Sequence, residues 1–418
     1  MSDRRRTARE PTARHGRLRR ISPAAAVARV IAAAVTIGLV SSVSVSAIAL
    51  AQLSGNIHTV VLAGDQNEPA VALPPALGKY EGGFNILVVG SDRCEKEGGC
   101  KDRQAELNDV TMLVHVAADQ QSAVAVSFPR DLVVPIPSCP KEDGSGSYNA
   151  MSAQPINNTL SYGGLACTVL TVEALTGMDI PYAGLITFNG VIGMSNAVGG
   201  VPVCINGPIR DPYSGLNLPA AGEYTLMGQD ALNFLRTRHG VGDGSDLGRI
   251  SSQQVFLSSL VRTIKSDSTL TDLGKLFGIA TAATSNMTLS SKLGNLNTMV
   301  AMALVLKDIP LEKITFVQYP GALGQGGVYS GKVAPIKAQA DALFRILKDD
   351  ESFTLAAGTG LGSVVEDTPA PAEPVPAPVP SDGGSPATSA SPTPDASLVL
   401  TGVKGQTAAE YTCSKANN

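Results

Sequence analysis

Three apolar runs lie close together near the front of the chain. Phe84 to Gly90 is continuous, of strand length, and halts at Gly90-Ser91-Asp92, which predicts a buried strand with Asp92 and Arg93 just beyond its carboxyl end. Val110 to Val116 and Ala123 to Phe128 are separated by the polar turn Ala117 to Gln121, a spacing that predicts an antiparallel hairpin. Such a hairpin sets the start of its first strand beside the end of its second, so Asp109 falls near Arg130 and Asp131. If the first strand runs parallel to the third, Asp92 and Arg93 join the same rim, where open α/β sheets tend to bind ligands.

Further along, apolar spacing predicts a helix over Leu165 to Leu175 ending near Gly177, then a strand over Ala183 to Phe188. A second helix from Gly190 to Val198 stops at Gly199-Gly200, and Val201 to Ile205 reads as a strand. Alternation of this kind implies an α/β fold with helices packed on a sheet. Leu270 to Leu306 is helix-rich and apolar, and it reads as core rather than as a lipid site.

At 418 residues the chain has material for one large domain or two ordinary ones, plus tails. Nine arginines lie within the first thirty residues against Asp3 and Glu10, and Val30 to Leu53 then carries no charge. That run matches the roughly 20 apolar residues that cross a bilayer, with the basic flank on the cytoplasmic side. The expected organisation is a basic cytoplasmic tail over 1–29, a retained transmembrane signal anchor over 30–53 and a linker over 54–80. A compact domain over 81–350 follows, then a Pro/Ala/Ser-rich linker over 351–396 and a short segment of undefined role over 397–418. A cleaved secretory signal is the competing reading of the apolar run. Residues 30–418 hold 23 basic and 34 acidic side chains, a formal charge of −11, which argues against nucleic acid as a partner.

The six cysteines form no CxxC pair, and in a chain facing outward they point to disulfides rather than zinc. Cys94 and Cys100 flank a Gly-rich loop and are placed to pair locally. Spacing leaves the partners of Cys139, Cys167, Cys204 and Cys413 open.

Leu235 to Gln254 reads LRTRHGVGDGSDLGRISSQQ. Arg236 and Arg238 precede a Gly/Asp-rich loop, after which Ser245 or Asp246 offers an N-cap to a helix with Leu247, Ile250, Phe256, Leu257, Leu260 and Ile264 as its apolar stripe. Arg249 and Gln253 are four apart and share a face of that helix. Three arginines and a glutamine suit several phosphate oxygens, because guanidinium groups bind phosphate through paired, charge-assisted hydrogen bonds. Taken singly, each residue has an ordinary explanation. Arg130-Asp131 reads as a surface ion pair, Asp92 as a turn residue, Asp109 as a strand end, Arg236 and Arg238 as solvated surface, and His239 as local surface chemistry rather than a base. Their joint occurrence changes the balance.

NILVVGSD, NDVTM, SFPRD, INNTLSYGG, RTRHG and DLGRISSQQ, in that order over residues 83 to 265, resemble the LytR-CpsA-Psr family of envelope phosphotransferases. The resemblance implies a central mixed sheet packed between helices in three layers, and an apolar tunnel for a polyprenyl pyrophosphate with arginines and aspartates at its mouth. It implies transfer of a glycopolymer from that lipid donor to a sugar hydroxyl of peptidoglycan, assisted by Mg²⁺, with Mn²⁺ as an alternative ion. Asp92 and Asp109 then look like metal ligands. Arg93, Arg130, Arg238, Arg249 and Gln253, with Arg236 a further candidate, look like the pyrophosphate clamp. Arg130, Asp92 and Asp131 look like the catalytic set, with Asp92 or Asp131 taking the acceptor's proton. Two departures stand out: Asn108 precedes Asp109 after a Cys-bounded insert, and Ser252-Gln253-Gln254 stands where the family often has RQQ. The implied location is a single-pass cell-membrane protein of a Gram-positive-type envelope, its N-terminus cytoplasmic and its catalytic domain outside. Hydrolysis of polyprenyl pyrophosphates, and a non-catalytic lipid- or glycan-binding regulator, are the rival functions.

Overall fold

The computed structural model of the chain describes residues 57–63, 80–93, 106–266, 269, 272–356, 358–365 and 398–417. The expected membrane span over 30–53 and the Cys94/Cys100 loop lie outside these residues. Among the described residues no helix is long and apolar enough to cross a membrane.

The strands used below, in chain order, are β1 (His58–Val60), β2 (Phe84–Ser91), β3 (Asn108–Val116), β4 (Ala123–Phe128), β5 (Tyr182–Ile186), β6 (Val201–Ile205) and β7 (Ile209–Asp211). They continue with β8 (Leu216–Leu218), β9 (Gly222–Leu226), β10 (Met287–Ser290), β11 (Ile314–Gln318), β12 (Ser363–Val365), β13 (Gly405–Thr407) and β14 (Thr412–Ser414). The helices are α1 (Thr159–Thr176), α2 (Phe188–Ala197), α3 (Gly228–Arg236), α4 (Asp246–Lys265), α5 (Leu273–Ser285), α6 (Leu296–Asp308) and α7 (Lys337–Lys348).

An eight-stranded sheet in the order β1-β10-β5-β2-β3-β4-β11-β13 forms the centre. It is mixed: β2 pairs with β5 and β4 with β11 in parallel, whereas β2–β3 and β3–β4 are antiparallel. The hairpin over the second and third runs forms as the spacing predicts, with Thr111 opposite Phe128 and Val116 opposite Ala123. Both faces of the sheet are covered, which is why its strands read as unbroken apolar runs rather than alternating ones. Leu87, Val89, Leu113 and Val126 pack on one face with Val169 and Val172 of α1 and Leu343 and Phe344 of α7. Phe84, Met112, Ala125 and Phe316 pack on the other with Met302 and Val305 of α6 and with Leu257 and Val261 of α4. The apolar segment ending at Leu306 thus contributes to the core.

A smaller sheet, β9-β6-β14-β12, closes a third apolar cluster against Phe234 of α3 and Phe256 of α4. Two of its four strands come from beyond residue 350, and β13 lies at an edge of the main sheet. The folded part therefore extends past the expected boundary at 350, and residues 405–407 and 412–414 of the last segment are built into the two sheets. The four described cysteines pair as Cys139–Cys167 and Cys204–Cys413, and the second bridge joins β6 to β14.

Local signals behave as elementary chemistry dictates. Gly177 caps α1 in the left-handed conformation at φ 64°, its amide bonded to the Glu173 carbonyl. The regular part of α1 begins only after Gly163 and Gly164, whose backbone is not helical. Ser245, rather than Asp246, is the N-cap of α4, with its hydroxyl accepting the Gly248 amide at 3.1 Å. That leaves the Asp246 side chain for another task.

Candidate functional site

The rim where β2 ends and β3 begins carries an irregularity. Gly90 lies opposite Val110 but Ser91 lies opposite Asn108, so Asp109 is an extra residue in β3. A bulge of this kind bends the strand and re-aims the side chain it carries. Asp109 points at the end of β4, where its Oδ1 meets Arg130 Nη1 at 2.7 Å. The pairing that the hairpin predicts is present.

Asp246, at the start of α4, ties this rim to the second sequence region. One carboxylate oxygen accepts the Arg130 backbone amide at 2.8 Å, and the other stands 2.7 Å from Arg249 Nη2. Arg249 also donates to the Asp109 carbonyl at 2.9 Å. Burial pushes the Arg130 guanidinium down, but Asp109, and then Asp246 and Asp131, outweigh it and hold it above its ordinary value. Nε of Arg130 and Nε of Arg249 are buried N–H donors without a hydrogen-bond partner among the described residues. Buried polar groups of this kind call for an explanation, and an anionic ligand is one.

Asp131 is a strut between elements. Its Oδ1 takes Lys332 Nζ at 2.8 Å, and its Oδ2 lies 3.7 Å from Arg238 Nη1. Arg238 is further fixed by its Nε, which donates to the Gly244 carbonyl at 3.0 Å. Arg236 lies over the face of Phe188, 4.6 Å from the ring centroid. Gln253 donates its amide to the Leu235 carbonyl at 2.8 Å and so holds the last turn of α3, from which Arg236 projects.

Asp109, Arg130, Arg236, Arg238 and Arg249 line one cleft of about 160 Å³, together with Asp211, Tyr213, Ser214 and His239. Asp92 and Arg93 share the rim by strand register but are not among its lining residues. Asp92 is buried and its carboxylate accepts the Leu107 amide at 2.8 Å; Arg93 is exposed, with its amide donating to Ser91 Oγ at 2.9 Å.

Several participants carry no local sequence signal of function. Asp211 is 1% exposed, and its Oδ2 accepts the Thr237 hydroxyl and the Arg238 and His239 amides, which shapes the turn bearing Arg238. Burial alone would raise this carboxyl, but those bonds and the Tyr213 amide outweigh it and hold it below the ordinary range. The Asp-Pro-Tyr-Ser-Gly stretch could have been read as a turn, though not as a brace for residues over twenty positions away. The other side of the loop is held by the end of the described chain. Gly242 donates to the Lys415 carbonyl at 2.8 Å, Asn417 donates to the Gly240 carbonyl at 3.0 Å, and Asn417 Nδ2 donates to the His239 carbonyl at 2.9 Å.

Comparison with known proteins places this geometry. In an alignment of 293 positions that covers 63% of the chain, it is 30% identical to LcpA, a cell wall biosynthesis protein of Corynebacterium glutamicum, and spans 55% of that protein. The chain thus spans little more than half the length of that curated relative. Over 316 residues, 74% of this chain and 91% of the relative, it is 25% identical to the polyisoprenyl-teichoic acid–peptidoglycan teichoic acid transferase TagT of Bacillus subtilis. In fold it is similar to a LytR-Csp2A-Psr enzyme from Actinomyces oris (TM-score 0.50, 22% identity, 70% of this chain and 95% of that one). B. subtilis TagV is similar too (TM-score 0.51, 22% identity, 65% and 97% covered). The LytR_cpsA_psr family model matches residues 45–349, a stretch that includes all the arginines of the cleft, and the chain belongs to that family.

Proposed function

We propose that this protein transfers a glycopolymer from a polyprenyl-pyrophosphate donor to a sugar hydroxyl of peptidoglycan, leaving a phosphodiester link. The observation that carries the reading is the charge of the cleft. Four guanidinium groups and two carboxylates line it, an excess of two positive charges with His239 neutral. A pyrophosphate esterified at both ends carries two negative charges. At about 160 Å³ the cleft is well below the roughly 300–1,000 Å³ of a pocket that encloses a whole ligand, so it suits a charged headgroup and not a lipid chain. The transferase names of the curated relatives point to the same class of reaction.

The donor set fits Mg²⁺. Asp109 lines the arginine cleft and Asp92 shares its rim, and Mg²⁺ takes few carboxylates beside phosphate oxygens and water. Asp109 and Asp92 would hold the ion, which supplies neutralisation of phosphate charge. Arg130, Arg238 and Arg249, with Arg236, bind and orient the two phosphates; in phosphoryl transfer, positioning and charge stabilisation carry most of the rate. The acceptor oxygen bonds to the sugar-linked phosphorus, the bridging P–O bond breaks, and polyprenyl phosphate leaves. The hydroxyl proton passes to Asp131, or to Asp92 if that carboxylate does not hold the ion. The domain would act on the outer face of the cell membrane, tethered by the apolar segment over 30–53.

The test is to incubate the protein with a polyprenyl-pyrophosphate oligosaccharide, Mg²⁺ and peptidoglycan fragments, and to look for the phosphodiester product by mass spectrometry. Free glycan phosphate without an acceptor-linked product would identify a hydrolase instead. Donor retained on the protein without turnover would identify a binder.

A further inference from the structure

Tyr213 is 80% exposed, yet it is not a loose side chain. It sits in the turn between β7 and β8, where its amide donates to Asp211 Oδ1 at 3.0 Å and Gly215 completes the reversal at φ 80°. One side of the ring rests on the His239 imidazole, with centroids 4.6 Å apart and planes inclined at 42°. His239 is held in turn, its amide by Asp211 and its carbonyl by Asn417. Both rings line the arginine cleft.

We propose that Tyr213 and His239 form a saccharide platform at the mouth of this cleft, on which the sugar next to the reacting phosphate stacks. The proposal rests on the reading of the cleft as a pyrophosphate site. A pyranose presents C–H groups on its faces and hydroxyls around its edge. A tyrosine ring has the matching character, an apolar body with a polar rim. Whichever sugar reacts is one P–O–C linkage from phosphorus, so an aromatic group bordering the arginines is within its reach. A prenyl chain is a poorer occupant, because the other residues lining the cleft, among them Asp211, Ser214, Arg236 and Arg238, are charged or polar. The fixed backbone at both rings also lowers the ordering cost of binding.

The donor sugar and the acceptor sugar share this chemistry, so the test uses both. Calorimetry would compare the full chain and its Tyr213→Ala and Tyr213→Phe variants on three probes: geranyl pyrophosphate, its glucosyl ester geranyl-pyrophosphoryl-glucose, and chitotetraose. The Ala variant is expected to bind geranyl pyrophosphate as the unaltered protein does and to bind at least one sugar-bearing probe about five- to tenfold more weakly, with Phe restoring it. Loss on the glucosyl ester alone assigns the platform to the donor, and loss on chitotetraose alone assigns it to the acceptor. Equal affinities of the Ala variant and the unaltered protein on both sugar-bearing probes overturn the proposal. Failure of the unaltered protein to bind geranyl pyrophosphate sinks the clamp reading instead, and the platform is then judged on chitotetraose.

Discussion

Asp211 Oδ2 accepts the Arg238 backbone amide at 2.9 Å, across 27 residues of sequence. The bond fixes the backbone of Arg238, a residue of the proposed phosphate clamp, rather than its charge. Asp211→Asn is expected to cost about 2 kcal/mol at pH 7, in keeping with hydrogen bonds to a charged acceptor, and to lower transfer. The folded carboxyl is held below its unfolded value of about 3.9, so its stabilisation is present above that pH and is lost as pH falls through the folded value. The difference in urea midpoint between the unaltered protein and the variant should therefore shrink below about pH 4. A difference that widened on acidification would contradict this account.

The arginines of the cleft are not equivalent. Removing Arg249 strands the buried Asp246 carboxylate that stands 2.7 Å from it, so Arg249→Ala should cost about 3 kcal/mol and lower transfer by at least about a hundredfold. Arg236 rests on an aromatic face, and Arg236→Ala should cost only about 0.5–1 kcal/mol. Thermal melts together with single-turnover rates would separate the two; equal stability losses would count against the described ion-pair network.

What the sequence made legible was local. The unbroken run over β2, the polar turn between β3 and β4, the glycine stops at Gly177 and Gly199, and the N-cap before α4 each follow from a few neighbouring residues. Asp109 beside Arg130 was legible too, because a hairpin converts spacing into proximity. The bonds from Lys332 to Asp131 and from Asn417 to His239 span 201 and 178 residues and have no period to reveal them. The folding of residues beyond 350 escaped for the same reason, since the short strands β12 to β14, on either side of a Pro-rich stretch, carry little pattern of their own.

Three glycines bring separate segments into backbone contact at the start of α4. A methyl group on Gly362 would overlap the Gly248 carbonyl, and one on Gly242 would lie 3.0 Å from the Gly362 Cα and 3.1 Å from the Gly248 Cα. Gly362→Ala should therefore shift the residue preceding Arg249, costing about 1–3 kcal/mol and reducing transfer. Gly326→Ala, where nothing lies within 4 Å, is the control and should change neither. Denaturant midpoints and initial rates decide the matter.

The two described disulfides should differ in consequence. Cys413→Ser releases the strand that leads to Lys415 and Asn417, so amides from Gly240 to Gly244 should exchange faster with solvent and kcat/KM should fall. Cys139→Ser should lower the melting temperature without that change in the loop. Hydrogen-exchange mass spectrometry reads both, and faster loop exchange in the Cys139 variant would tell against a specific brace.

Chelation provides a further check on the ion. EDTA should abolish transfer and excess Mg²⁺ should restore it, with Asp109→Asn raising the Mg²⁺ concentration needed for half-maximal rate. Full activity in EDTA would remove the metal from the mechanism.

The position of β13 and β14 bears on how the molecule is made. Chains emerge N-terminus first at about 5–20 residues per second, and the residues that occupy the free side of β11, join β6 to β12 and seat the loop after Arg238 emerge after all the others described. Until then both sheets present unpaired edges, the feature most prone to pairing with a neighbouring chain. The arginine cleft is thus among the last parts of the protein to be assembled, and a nascent chain with most of its core in place still lacks one.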